Sequence, residues 1–78
     1  MVDHLAKGLA LAFLAGPWTT EGIVARARSA LGERARGRTR WLTTLARRTL
    51  EAFPAAPIDR EDELAAVLAE DRALRGVR

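Results

Sequence analysis

The sequence predicts an all-α protein, a small assembly of four short helices near residues 4–15, 20–31, 40–52 and 60–74. Three observations lead there. Apolar residues recur at the i, i+3, i+4 spacing of a single buried helical stripe. Residues that start or stop helices stand between the stripes. No segment carries the two-residue alternation of a strand. Helices this short are unstable in isolation, so their order depends on mutual packing.

The first helix takes Asp3 as its N-cap and ends at Gly16-Pro17, with Gly16 in the left-handed position past its end and Pro17 preventing continuation. Leu5, Leu9, Ala12 and Phe13 line one face, widened by Ala6, Ala10 and Leu14, so the helix is expected to be buried. His4 reads as an exposed bystander. The second helix opens with Thr19 as N-cap, and Trp18 and Ile23 are spaced as a hydrophobic staple. Glu21 complements the helix dipole. Ile23, Val24, Ala27, Ala30 and Leu31 face inward, Arg26 and Arg28 outward, and Gly32 stops the helix.

The third helix carries Leu42, Leu45, Ala46, Thr49, Leu50 and Phe53 on its inner face, with Arg40, Thr44, Arg47, Arg48 and Glu51 opposite. Before it, Arg34, Arg36, Arg38 and Arg40 stand two residues apart. An extended loop there would turn all four the same way. Phe53-Pro54-Ala-Ala-Pro57-Ile58 reads as a stiff extended connector. Asp59 then caps the fourth helix, with Asp62 approximating a capping box. Leu64, Val67 and Leu68 form a narrow stripe, continued by Leu74, so this helix is expected to be the least firmly attached. Glu61, Asp62 and Glu63 read as a solvated first turn rather than a metal or catalytic cluster. The chain thus divides into a three-helix basic core over 1–53, a Pro-rich connector over 54–58 and an acidic C-terminal helix over 59–78. All three belong to one small domain or fragment. Trp18, Leu9, Phe13, Ile23, Leu31, Leu42, Leu45 and Phe53 are the expected shared core.

Seventy-eight residues bury only about two-thirds of their unfolded surface, which leaves stability marginal. No Cys is present and the single His cannot build a metal site. The absence of Cys fits a cytoplasmic protein. The net charge of +3 hides a segregation. Gly22 to Leu50 holds eight Arg against Glu33 alone, or +7; Glu51 to Asp71 holds seven acids against Arg60 alone, or −6. Such asymmetry points to two different neighbours, or to one half of the chain meeting the other. A GC-rich genome favouring Ala, Arg, Gly and Leu codons also enriches Arg. The longest apolar run, Leu9 to Ala15, has seven residues where roughly 20 cross a membrane, so no membrane partner is expected. The N-terminus is a weak signal-peptide candidate, with Asp3 in the would-be basic region and Lys7 as its only charge support.

Several pieces in register carry a resemblance. They are Leu9-Ala10-Leu11-Ala12-Phe13-Leu14-Ala15-Gly16-Pro17-Trp18, Glu21-Gly22, Ala30-Leu31-Gly32, Arg40-Trp41-Leu42, Arg47-Arg48, Ala52-Phe53-Pro54, Pro57, Asp59-Arg60 and Glu63-Leu64. Together, from about Leu5 to Asp71, they resemble the helical N-terminal extension of bacterial retron-type reverse transcriptases, RNA-directed DNA polymerases tied to antiphage defence. The resemblance implies a non-catalytic accessory module, as a fragment of such an enzyme. A complete polymerase of this family would continue into a palm domain whose Tyr-Ala-Asp-Asp motif holds Mg²⁺. This chain contains no Tyr, so no cofactor is expected in it and Mg²⁺ would belong to the absent polymerase domain. The alternating Arg stretch is also longer than the family's pattern.

Two readings follow. In the first, Arg34, Arg36, Arg38, Arg40, Arg47 and Arg48 form one basic surface for structured RNA or DNA, because guanidinium pairs bidentately with phosphate and stacks on bases. In the second, the apolar first helix and the basic face dock on a polymerase palm or fingers domain or another subunit. An enzymatic reading lacks residues: there is no nucleophile–base pair, metal cluster or phosphate-cradling Gly loop, and no small-molecule ligand is expected.

Overall fold

The structure, a computed structural model, describes residues 4–76. The helices are α1 (His4–Leu14), α2 (Thr20–Leu31), α3 (Thr39–Ala52), α4 (Glu61–Ala69) and a single turn, α5 (Arg72–Arg75), with a 3₁₀ turn over Gly32–Ala35. Among the described residues there is no strand, and the all-α expectation holds. The expected cap at Asp3 lies outside the described residues, as do residues 77–78.

The start of α2 follows its sequence signals. Thr19 is extended (φ −134°, ψ 161°) and its Oγ1 accepts the Gly22 amide at 3.0 Å. This supplies one of the amides that a helix start leaves unpaired. Two other sequence readings do not hold. Gly16 does not take a positive φ; the described glycines that do are Gly32 (59°) and Gly37 (74°). Gly16 instead leaves room for the Arg26 guanidinium, which occupies the space a β-carbon would take. Arg26 is therefore half-buried rather than outward, and its Nη1 donates to the Gly22 carbonyl at 3.1 Å.

The loop before α3 is not extended. Gly32–Ala35 wind into a 3₁₀ turn, Arg36 closes it by donating its amide to the Glu33 carbonyl, and Gly37 reverses the chain. Ala35 is buried, and anchoring it draws the segment onto the body. A 3₁₀ turn has three residues per turn, so the two-residue spacing of the arginines does not align them.

The connector also departs from expectation. Phe53 and Pro57 are buried, and the Arg60 amide donates to the Pro57 carbonyl at 3.0 Å, closing a turn over residues 57–60. That turn moves the start of α4 past Asp59. Arg60 is the N-cap, without a side-chain cap bond. Its guanidinium lies 5.5 Å from the Phe53 ring and 3.4 Å from Glu63.

The helices pack in sequence, α1 on α2, α2 on α3 and α3 on α4, and α4 returns to α1 to close the ring. The α1–α4 contact is the most extensive of these. This overturns the expectation that the fourth helix is the least attached. Leu64, Leu68 and Leu74 are fully buried beside Leu9, Phe13, Ile23 and Leu42 in one core. Trp18 is half-buried at its rim, where Nε1 donates to the Phe53 carbonyl at 2.7 Å and ties the α1–α2 corner to the end of α3. The predicted fourth helix is also two helices. It breaks at Glu70, and Asp71 takes the N-cap of α5, accepting the Leu74 amide at 3.0 Å.

Candidate nucleic-acid interface

All six predicted arginines are exposed, but they occupy three settings. Arg40, Arg47 and Arg48 share the broad outer face of α3: seven residues bring Arg47 back to within about 20° of Arg40, while Arg48 lies about 80° round the helix from Arg40, toward the other side of the ridge. Thr44 lies between them, its hydroxyl folded back onto the Arg40 carbonyl at 3.0 Å. Arg38 stands at the N-cap of α3 with its guanidinium 5.7 Å from the Trp41 ring centroid. Arg34 and Arg36 belong to the 3₁₀ turn, and Arg34 Nε donates to the Leu31 carbonyl at 3.2 Å.

The α3 ridge separates two grooves. On the α2 side, a groove of about 480 Å³ is lined by Val24, Arg28, Thr43 and Arg47 among others. On the other side, a groove of about 700 Å³ runs between α3 and the α4–α5 corner. Arg38, Arg40, Trp41 and Arg48 line it from the α3 side, and Glu70, Asp71 and Arg72 from the corner. Arg36 borders a third, smaller hollow with Arg28 and Thr39. Arg28 Nη2 donates to Thr39 Oγ1 at 2.6 Å, which pins the end of α2 to the start of α3. The six therefore form a broken basic surface rather than one aligned row.

Asp71 organises the larger groove. Its Oδ1 accepts Trp41 Nε1 at 3.1 Å and the Leu74 amide, while Oδ2 lies 3.8 Å from Arg48 Nη1. Its carboxylate is mostly buried and Arg48 mostly exposed, so the hydrogen bonds fix the geometry and the ion pair adds little. Arg48 alone of the six has a carboxylate within salt-bridge distance among the described residues. The other five keep their charge available to an external anion.

Trp41, Asp71, Arg28 and Arg72 were not among the predicted site residues. Trp41 and Arg28 had a signal: Trp41 sits beside the inner stripe of α3, half-buried against the edge of the core, and Arg28 points outward toward the basic loop. Arg72 and Asp71 had little, because the helix break that brings them to α3 is a tertiary event.

Among the described residues, no group of three or more His, Asp or Glu is placed to hold a metal ion. No described helix is long and apolar enough to cross a membrane. Compared with models of protein families, with curated proteins and with solved structures, the chain matches none.

Proposed function

We propose that this chain is a non-catalytic helical module that holds structured RNA or DNA through its Arg-rich face. The observation that carries this reading is the outer surface of α3 and the turn before it, where six exposed arginines outnumber Glu33, Glu51 and the neighbouring Asp71, and only Arg48 is within salt-bridge distance of a carboxylate among the described residues. Left uncompensated, such a surface favours a polyanion, and guanidinium matches phosphate in shape as well as charge. The resemblance of residues 5–71 to the N-terminal extension of retron-type reverse transcriptases supports the same reading, because an RNA-directed DNA polymerase must hold an RNA template and its DNA copy. Chemistry would then belong to a polymerase domain, and this module would contribute affinity and position.

Titration of labelled structured RNA against salt tests the proposal. With about five phosphates engaged, raising salt from roughly 50 to 200 mM should weaken binding about a hundredfold or more. Arg36→Ala and Arg47→Ala should each flatten the salt slope by about one phosphate, with helix content unchanged. Binding that is absent at low salt, or indifferent to salt, would overturn the reading.

A second reading, a protein-docking module on a polymerase body, draws on Leu11 (48 % exposed) and Ile58 (72 % exposed). Apolar docking of this kind is insensitive to salt, which separates the two.

A further inference from the structure

We propose that the groove between α3 and the α4–α5 corner receives one unpaired nucleotide of a strand, its base stacked on Trp41 and its flanking phosphates held by Arg40, Arg48 and Arg72. The inference rests on the nucleic-acid reading above and narrows it from a charged face to a single-strand site.

Three observations converge on this groove. It joins an aromatic ring to four guanidinium groups, those of Arg38, Arg40, Arg48 and Arg72, against two carboxylates, Glu70 and Asp71, so its lining keeps a net positive charge. The smaller groove on the α2 side has arginines but no aromatic residue. Single-strand sites combine these two elements, an aromatic platform for the base and a basic track for the backbone. Duplex binding needs only the second, since stacked bases inside a helix cannot reach a side-chain ring.

The ring is also held in advance. Trp41 Nε1 is bonded to Asp71, whose carboxylate also caps α5 and faces Arg48, so the indole is held in orientation before any ligand arrives. Arg38 covers one side of the ring at 5.7 Å, held by a cation–π contact and with no carboxylate partner among the described residues. An incoming base takes the ring from Arg38, and the displaced guanidinium is free to meet a phosphate. Stacking exceeds an exposed cation–π contact, so the exchange is downhill. Arg48 makes the parallel move, leaving Asp71 Oδ2 at 3.8 Å for a phosphate oxygen, while Asp71 keeps its hold on Trp41.

The test uses Trp41 as its own reporter. The chain has two tryptophans, so Trp18→Phe leaves Trp41 as the single indole. Circular dichroism of that variant first establishes that the helices remain. Titration with a short oligouridylate should quench the Trp41 emission, and the same strand paired into a duplex should not. In the otherwise unaltered chain, Trp41→Leu should weaken oligouridylate binding roughly tenfold, within the range of one lost stacking contact, and Trp41→Phe should restore most of it. Neither change should alter duplex binding. Arg72→Ala, outside the α3 ridge, should weaken single-strand binding and lower its salt slope by about 0.7.

If duplex and single strand bind equally and Trp41 emission stays constant, the groove assignment falls while the broader nucleic-acid reading stands. If uridine monophosphate quenches Trp41 at the same concentration as the oligonucleotide, the groove is a mononucleotide pocket and the strand assignment falls. If no nucleic acid binds in a salt-dependent way, both readings fall together.

Discussion

Asp71 carries more structure than any other single charged residue described. It caps α5, accepts the Trp41 indole N–H and faces Arg48. Asp71→Ala removes a cap and leaves a half-buried donor without its partner, which should cost about 1–3 kcal/mol. In a domain of this size that lowers Tm by roughly 4–24 °C. Asp71→Asn keeps a capping, accepting oxygen and loses only a long ion pair to a mostly exposed guanidinium, worth about 1 kcal/mol or less. Thermal melts of the two variants separate the contributions: an Asn variant as unstable as the Ala variant would show that charge, not hydrogen bonding, holds the corner. Trp18 has a related role. The sequence marks it as core, but it is half-buried and spends its N–H on the Phe53 carbonyl, because a rim position satisfies both the ring and its polar edge.

Among the elements, glycine gives a contrast that the sequence conceals. Gly8, inside α1, has nothing within 4 Å of where a β-carbon would lie. Gly8→Ala should stabilise the protein by about 0.5–1 kcal/mol through helix propensity. Gly22, in the first turn of α2, would place its β-carbon 2.6 Å from the Pro17 carbonyl oxygen. Gly22→Ala should therefore destabilise by about 1–3 kcal/mol, since backbone must move. Chemical denaturation of both variants checks the opposite signs. α4 gives the other element-scale prediction. Leu68 is fully buried, so Leu68→Ala should cost about 2–5 kcal/mol, in the range of Leu9→Ala in α1. A cost below about 1 kcal/mol would restore the picture of a loosely tethered fourth helix.

At the scale of the molecule, the helices close a ring around one core within a body of 30 × 30 × 18 Å. The radius of gyration of 11.1 Å is close to the value of about 11.5 Å expected for a compact chain of this length. One core shared by α1 to α5 should unfold as a unit. Loss of helical dichroism and the change in tryptophan emission should coincide in denaturant. Trp41 sits against the α4–α5 corner, so an earlier fluorescence transition would reveal that corner detaching first. The charge halves also meet within this body, since Asp71 from the acidic segment joins Trp41 and Arg48 from the basic one.

Local chemistry was enough for some features of this fold. The capped α2, the inward stripe of α3 and the exposure of Arg40, Arg47 and Arg48 follow from residue spacing, because helical periodicity and capping act over four residues or fewer. The sequence also marked Leu9, Phe13, Ile23, Leu31, Leu42, Leu45 and Phe53 as buried, and each is. Other features depended on partners distant in the chain. Burial of Ala35 winds the arginine loop and scatters a spacing that would have aligned in an extended segment. The turn at 57–60 moves the α4 start from Asp59 to Arg60, and α1 gives the narrow stripe of α4 the core it needs. The groove itself unites Trp41 with Arg72 only because the chain breaks at Glu70 and Asp71 reaches across to the indole. Residues thirty apart are joined there by one hydrogen bond, and no periodicity in the chain encodes a contact over that distance.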